Sequence, residues 1–166
     1  MTFTIRPLTS SDPAAIFAAF NAAGWEKPLS TFTNYLDDEH AGRRSTLVAT
    51  HDNEIAGYVT VNWRSPYEPF DSMPEIQDFP VLPAYRRRGI GGSLMDAAEA
   101  LVAERSDVVG LGVGLYPDYG TAQRMYVRRG YLPDGRGVIY DNRQVPPGEL
   151  VRLDDSAVLM FTKSLT

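Results

Sequence analysis

Apolar positions along this chain fall into two rhythms. Near the N-terminus Phe3 and Ile5 alternate with polar residues and Leu8 follows less regularly, which predicts a short first strand closed by Pro7. Ser10-Ser11-Asp12-Pro13 then has the form of a helix start, with Ser11 or Asp12 as cap and Pro13 at the first helical position. Ile16, Phe17 and Phe20 supply its buried stripe, and Gly24 ends it. A second helix is expected from Leu29 or Ser30 to about Glu39, with Phe32, Tyr35 and Leu36 on one face. Thr46 to Thr50 and Ile55 to Val61 flank Asp52-Asn53 as the two arms of a hairpin. Ser65 to Pro74 holds three prolines and no period, and reads as an ordered loop.

A fourth strand is expected from Glu75 to Leu82. A helix follows from about Gly89 to Glu104, with Ile90, Leu94, Ala97, Ala98 and Leu101 on one face. Val108 to Leu115 predicts a fifth strand carrying three glycines, and Tyr119 to Arg129 a short helix stopped by Gly130. Tyr131 to Tyr140 contains a strand interrupted at Pro133-Asp134-Gly135, and Val158 to Lys163 forms the last one. The order β-α-α-β-β-β-α-β-α-β-β specifies an α/β protein with one mixed sheet and helices on it. With 166 residues and neither linker nor repeat, residues 1–166 are expected to form a single domain.

Composition narrows the function. A net charge of −5 argues against general nucleic-acid binding, which needs basic surface to displace counterions. There is no cysteine, hence no disulfide framework, thiolate metal site or cysteine nucleophile. His40 and His51 are isolated, so no metal site is expected. No signal-peptide plan and no apolar run near the length of a membrane span are present, so a cytoplasmic protein without a membrane partner is expected. Gly110-Leu111-Gly112-Val113-Gly114 has its third glycine misplaced for a dinucleotide loop, and neither a nucleotide-hydrolysing P-loop nor a hydrolase serine elbow occurs.

The chemistry concentrates in Pro83-Ala84-Tyr85-Arg86-Arg87-Arg88-Gly89-Ile90-Gly91-Gly92-Ser93-Leu94. A strand, a glycine turn beside three arginines and a helix start together form an anion site, with exposed backbone N–H groups, no Cβ atoms in the way and positive charge alongside. On spacing alone an arginine-rich surface turn stays open as the alternative.

These residues resemble the GNAT superfamily of N-acetyltransferases. Arg86-Arg87-Arg88-Gly89-Ile90-Gly91 fits its motif of Arg or Gln, two residues, Gly, one residue, then Gly or Ala. Val81-Leu82-Pro83 matches the preceding strand end, and Ala122, Tyr126 and Gly130-Tyr131 match the next block, close to a bacterial subgroup. The resemblance implies a mostly antiparallel mixed sheet splayed between strands 4 and 5, acetyl-CoA as co-substrate, and a small-molecule or peptide amine as acceptor. It implies direct attack in a ternary complex, and it allows a homodimer. Arg86, Arg87, Arg88 and the amides of Gly89, Ile90, Gly91, Gly92 and Ser93 would hold the diphosphate. The backbone of Phe79, Val81 and Leu82, above all Val81, would meet the pantetheine arm and the thioester oxygen, and Pro80 fits a bulged strand there. Tyr119 stands where many members carry Asn and would lie against the same arm. Tyr126 would protonate the leaving thiolate, and Glu75, Asp78 or a water chain would take the acceptor's proton. Trp25, Trp63, Tyr67 and Phe70 are expected to wall the acceptor pocket, with Glu26, Glu68 and Asp71 attracting a cation. The reading from a different class is a CoA-binding sensor that keeps the fold without turnover.

Overall fold

The computed structural model describes residues 2–166. Strand β1 (Thr4–Pro7) leads into α1 (Asp12–Ala22) and α2 (Leu29–His40). The hairpin β2 (Arg44–His51) and β3 (Glu54–Asn62) turns at Asp52 and Asn53, both at positive φ as a tight hairpin turn requires. Then come β4 (Glu75–Gln77), α3 (Ile90–Ala103), β5 (Val108–Gly114), α4 (Gly120–Arg128), β6 (Leu132–Tyr140), β7 (Arg143–Gln144) and β8 (Ala157–Ser164). One eight-stranded sheet has the order β1-β2-β3-β4-β5-β8-β6-β7. Every neighbouring pair is antiparallel except β4 and β5.

The pleat sorts the side chains into two cores. On one face Ala49, Val59, Val61, Ile76, Val109, Leu111 and Val113 pack with Ile90, Leu94, Ala98 and Val102 of α3 and Tyr126 of α4. On the other, Val48 and Tyr58 meet Ile16 and Phe20 of α1 and Phe32 of α2. Tyr67 and Phe70 of the 65–74 loop pack there too, against Ile139 and Met160. That loop is ordered as expected, and it contains a short 3-10 turn, Glu68–Phe70. Among the described residues no helix is long and apolar enough to cross a membrane.

The fourth strand departs from the expected Glu75 to Leu82. Regular pairing with β3 stops at Thr60↔Gln77, and the chain rejoins β3 at Gly57↔Val81. Three steps along β3 are therefore matched by four along the other chain, so one residue is extra. The bulge sits at Asp78, whose φ is 50°. Parallel pairing with β5 is confined to Glu75↔Gly110 and Ile76↔Leu111, after which β5 follows β8 alone. The sheet opens between the bulged segment and the end of β5, as the resemblance implied.

Candidate active site

The bulge decides which way Val81 faces. Tyr58 N–H donates to Pro80 O at 3.1 Å and Leu82 N–H donates to Ala56 O at 2.9 Å. In an antiparallel ladder the residue between two such bonds points its own N–H and C=O to the opposite side. Val81 thus offers both groups to the opening. Its carbonyl accepts from Arg86 Nε at 3.1 Å, while its N–H has no acceptor among the described residues. Pro80, which lacks an N–H, stands where the ladder is already broken.

The glycine turn faces the same opening. Helix α3 begins after Gly89, which is at φ 82°, and no side chain caps it. Ser93 N–H donates to Gly89 O, the first bond of the helix, so the amides of Ile90, Gly91 and Gly92 have no intrahelical acceptor. A Cβ built on Gly91 would lie 3.4 Å from Phe79 Cζ, 3.9 Å from Val81 Cγ2 and 4.0 Å from Met125 Cε. Phe79, Val81, the start of α3 and the middle of α4 therefore converge on one spot. Arg87 and Arg88 are exposed beside it. Arg86 is turned back, bonded to Val81 O and lying over the Trp25 ring at 5.4 Å, so it braces the turn against the strand.

Tyr126 is buried against this face, its ring 5.7 Å from that of Tyr131. Its hydroxyl has no partner among the described residues, and burial alone pushes it up to about 12. Tyr119 caps the start of α4 with its ring on Gly114, where a Cβ would come within 2.3 Å of it. Its hydroxyl donates to Asp155 Oδ1 at 2.8 Å, and Tyr116 donates to the same oxygen. Burial first, and then Asp155, raises the Tyr119 phenol well above its usual range.

On the opposite sheet face, lined by Gln77 and Asp78 of the bulged side and Gly112 of β5, lies a cleft of about 260 Å³. Glu75, Asp78, Asp141 and Asp155 bring four carboxylates to its lining, and Gly112 and Met160 floor it. The two base candidates differ sharply in their surroundings. Asp78 accepts from Tyr35 Oη at 2.7 Å, from Tyr58 Oη at 2.8 Å and from Lys27 Nζ. Burial, with Asp78 adding to it, raises both phenols far above their usual range, so they stay donors. Glu75 is buried and, among the described residues, accepts only from Ser65 Oγ at 2.7 Å and Gln77 Nε2 at 2.5 Å and has no cation in contact.

The expected aromatic wall is a correction. None of Trp25, Trp63, Tyr67 and Phe70 lines the cleft, and neither do Glu26, Glu68 or Asp71. Trp25 packs on Phe20, and Trp63 bonds Ser45 and carries Arg105 on its ring. Tyr67 and Phe70 fill the small core under the 65–74 loop. The residues that do shape the cleft and were not singled out from sequence are Gln77, Asp141, Asn142, Asp155 and Ser156. Lys27 joins them through Asp78.

The model of the acetyltransferase (GNAT) family matches residues 13–131, well over half the chain. No curated protein matches it by sequence. Solved structures match over almost the whole length. An N-acetyltransferase from Staphylococcus aureus Mu50 aligns at 12% identity over 100% of both chains with a TM-score of 0.74. A ribosomal-protein-alanine N-acetyltransferase from Brucella melitensis aligns at 19% identity over 97% of this chain and 99% of its own, with a TM-score of 0.73. The Salmonella typhimurium protein yncA, solved with its cofactor acetyl-CoA, aligns at 17% identity over 100% of this chain and 95% of its own, at 0.71. At these identities the structures establish the shared fold.

Proposed function

For a chain that belongs to the acetyltransferase (GNAT) family, we propose N-acetyl transfer from acetyl-CoA to a primary amine, by direct attack with both substrates bound. The observation that carries this reading is the position of Val81. Its N–H, without an acceptor among the described residues, sits in the opening between a helix start whose first amides lack an intrahelical acceptor on one sheet face and a carboxylate-lined cleft on the other. The diphosphate suits the amides from Ile90 to Gly92, with Arg87 and Arg88 alongside. The pantetheine arm then runs into the opening, and the Val81 N–H stabilises the negative charge that develops on the thioester oxygen.

The acceptor enters from the cleft, where carboxylates favour an arriving ammonium. Glu75 is the better base, because each of its oxygens keeps a lone pair while Asp78 is occupied by three donors. Glu75 takes one proton from the ammonium, the amine nitrogen bonds the acetyl carbon, the C–S bond breaks, and the nitrogen's second proton leaves as the amide forms, to water or to the Tyr126 phenolate. Tyr126 keeps its proton throughout the neutral range and donates it to the departing sulfur. The dry surroundings that raise the phenol also raise a thiol placed beside it, so the exchange stays nearly balanced.

Thiol release from acetyl-CoA, followed with ethylamine, a linear diamine and a short peptide with a free N-terminus, tests the reading. Turnover with any of them supports it. Tight CoA binding without thiol release for any amine would favour the non-catalytic sensor.

A further inference from the structure

Each donor on the Glu75 carboxylate has a second donor behind it. Arg44 Nη1, from β2, lies 3.0 Å from Gln77 Oε1 and 2.7 Å from Thr60 Oγ1. The backbone N–H of Tyr67 lies 3.1 Å from Ser65 Oγ. A guanidinium and a backbone N–H can only donate. Gln77 must therefore turn its carbonyl to Arg44 and its NH2 to Glu75. Turned over, the amide would set NH2 against guanidinium and oxygen against carboxylate, losing both bonds at once. Ser65 likewise accepts from behind and sends its single proton forward to Glu75.

We propose that Gln77 and Arg44 are positioning residues for proton removal from the acceptor. Together with Ser65 they hold the Glu75 carboxylate as a fixed acceptor whose remaining lone pairs face the cleft. The inference rests on Glu75 being the group that takes that proton. Arg44 is itself held in place, with its guanidinium 5.0 Å from the Tyr35 ring centre, its Nε 3.7 Å from Asp38 Oδ2, and its side chain only 14% exposed. The supporting positive charge is thus one residue removed from Glu75. A direct ion pair would occupy the lone pair that the incoming ammonium needs.

The other charges around Glu75 are Asp78 in the bulge that follows its strand, held by Lys27, and Asp141 and Asp155 across the cleft. These three carboxylates repel a further negative charge, and the two directed donors offset that repulsion.

Steady-state kinetics on the full chain test the inference, with acetyl-CoA varied at a saturating concentration of whichever amine of the panel above has the highest kcat/KM. In Gln77→Leu the kcat should fall about tenfold with KM for acetyl-CoA unchanged, as expected when a hydrogen bond to a charged group is lost. The acidic limb of the rate should move up by about one pH unit. Arg44→Met should move the limb in the same direction by less, and Gln77→Glu should move it further than Gln77→Leu. A lowered melting temperature with an unmoved acidic limb in Gln77→Leu and Arg44→Met would make the chain of donors purely structural and overturn the inference. Glu75→Gln separates the layers. If it loses turnover while both other variants keep the wild-type limb, only the positioning role falls; if it keeps wild-type turnover and limb, the base assignment falls and the positioning role with it.

Discussion

Two carboxylates three residues apart, Glu75 and Asp78, call for opposite experiments. Asp78 is tied to Lys27, Tyr35 and Tyr58, which come from the α1–α2 connection, α2 and β3. Asp78→Asn weakens a charge-assisted hub and should cost about 2 kcal/mol of stability, read by urea unfolding. Glu75→Gln keeps the shape but turns its NH2 toward one of the two donors, so it should lower kcat at least about a hundredfold while costing less stability than Asp78→Asn. If the effects are reversed, Asp78 is the base. Tyr126 makes a third case. Tyr126→Phe removes one hydroxyl that has no partner among the described residues, so folding and CoA affinity by calorimetry should hold while turnover drops about a hundredfold. Because burial puts the phenol up at about 12, wild-type turnover should show no alkaline fall below about pH 10 that disappears in the phenylalanine variant.

At the scale of elements, the site depends on the bulged segment staying pressed onto β3. Gly57 makes that possible: a Cβ there would stand 2.7 Å from Pro80 O and 3.2 Å from Val81 Cα, both backbone atoms that cannot swing aside. Gly57→Ala should push residues 80–81 off β3, costing about 1–3 kcal/mol in stability, and should weaken acetyl-CoA binding with it. Unchanged cofactor affinity in a folded variant would detach Val81 from the donor site. Much of this arrangement was legible in the chain. The periodicity gave the helices and the hairpin, the glycine motif gave the start of α3, and Pro80 announced a disturbed strand. The place of the disturbance was not legible, because Asp78 adopts its left-handed φ to meet partners far away in sequence. Lys27 is 51 positions from Asp78, and Arg44 is 33 positions from Gln77. No local pattern marks such pairs. Aromatic loop residues misled for the complementary reason: Tyr67 and Phe70 are apolar enough to wall a pocket, and the fold uses them to fill a core.

For the molecule as a whole, carboxylates that join distant elements set the response to acid. Asp12, 2% exposed, accepts from Arg6 at 2.7 and 2.9 Å and from the Thr9 backbone N–H at 2.6 Å, fastening β1 to the start of α1. Burial works against its charge, yet these bonds prevail and hold the carboxyl below its usual range. Glu99 of α3 repeats the pattern. Burial opposes it, and Arg129, Lys163 and Tyr131 overcome that to hold it low. Asp155 is lowered by the hydroxyls of Tyr116 and Tyr119, and Lys27 adds to the effect. In all three the unfolded chain takes up its proton at a higher pH than the folded one. Their stabilisation is therefore complete above the unfolded values of about 3.9 for Asp and 4.3 for Glu, and it is lost as pH falls through the lower folded values. The melting temperature should stay level from neutral pH to about pH 5 and drop below about pH 4. Asp12→Asn should melt earlier than wild type at neutral pH, and the gap should be smaller at about pH 3, where part of the wild type's charge-dependent stabilisation is already lost. A gap of equal size at both pH values would mean that Asp12 holds β1 to α1 through its shape and hydrogen bonds, and that its charge contributes nothing.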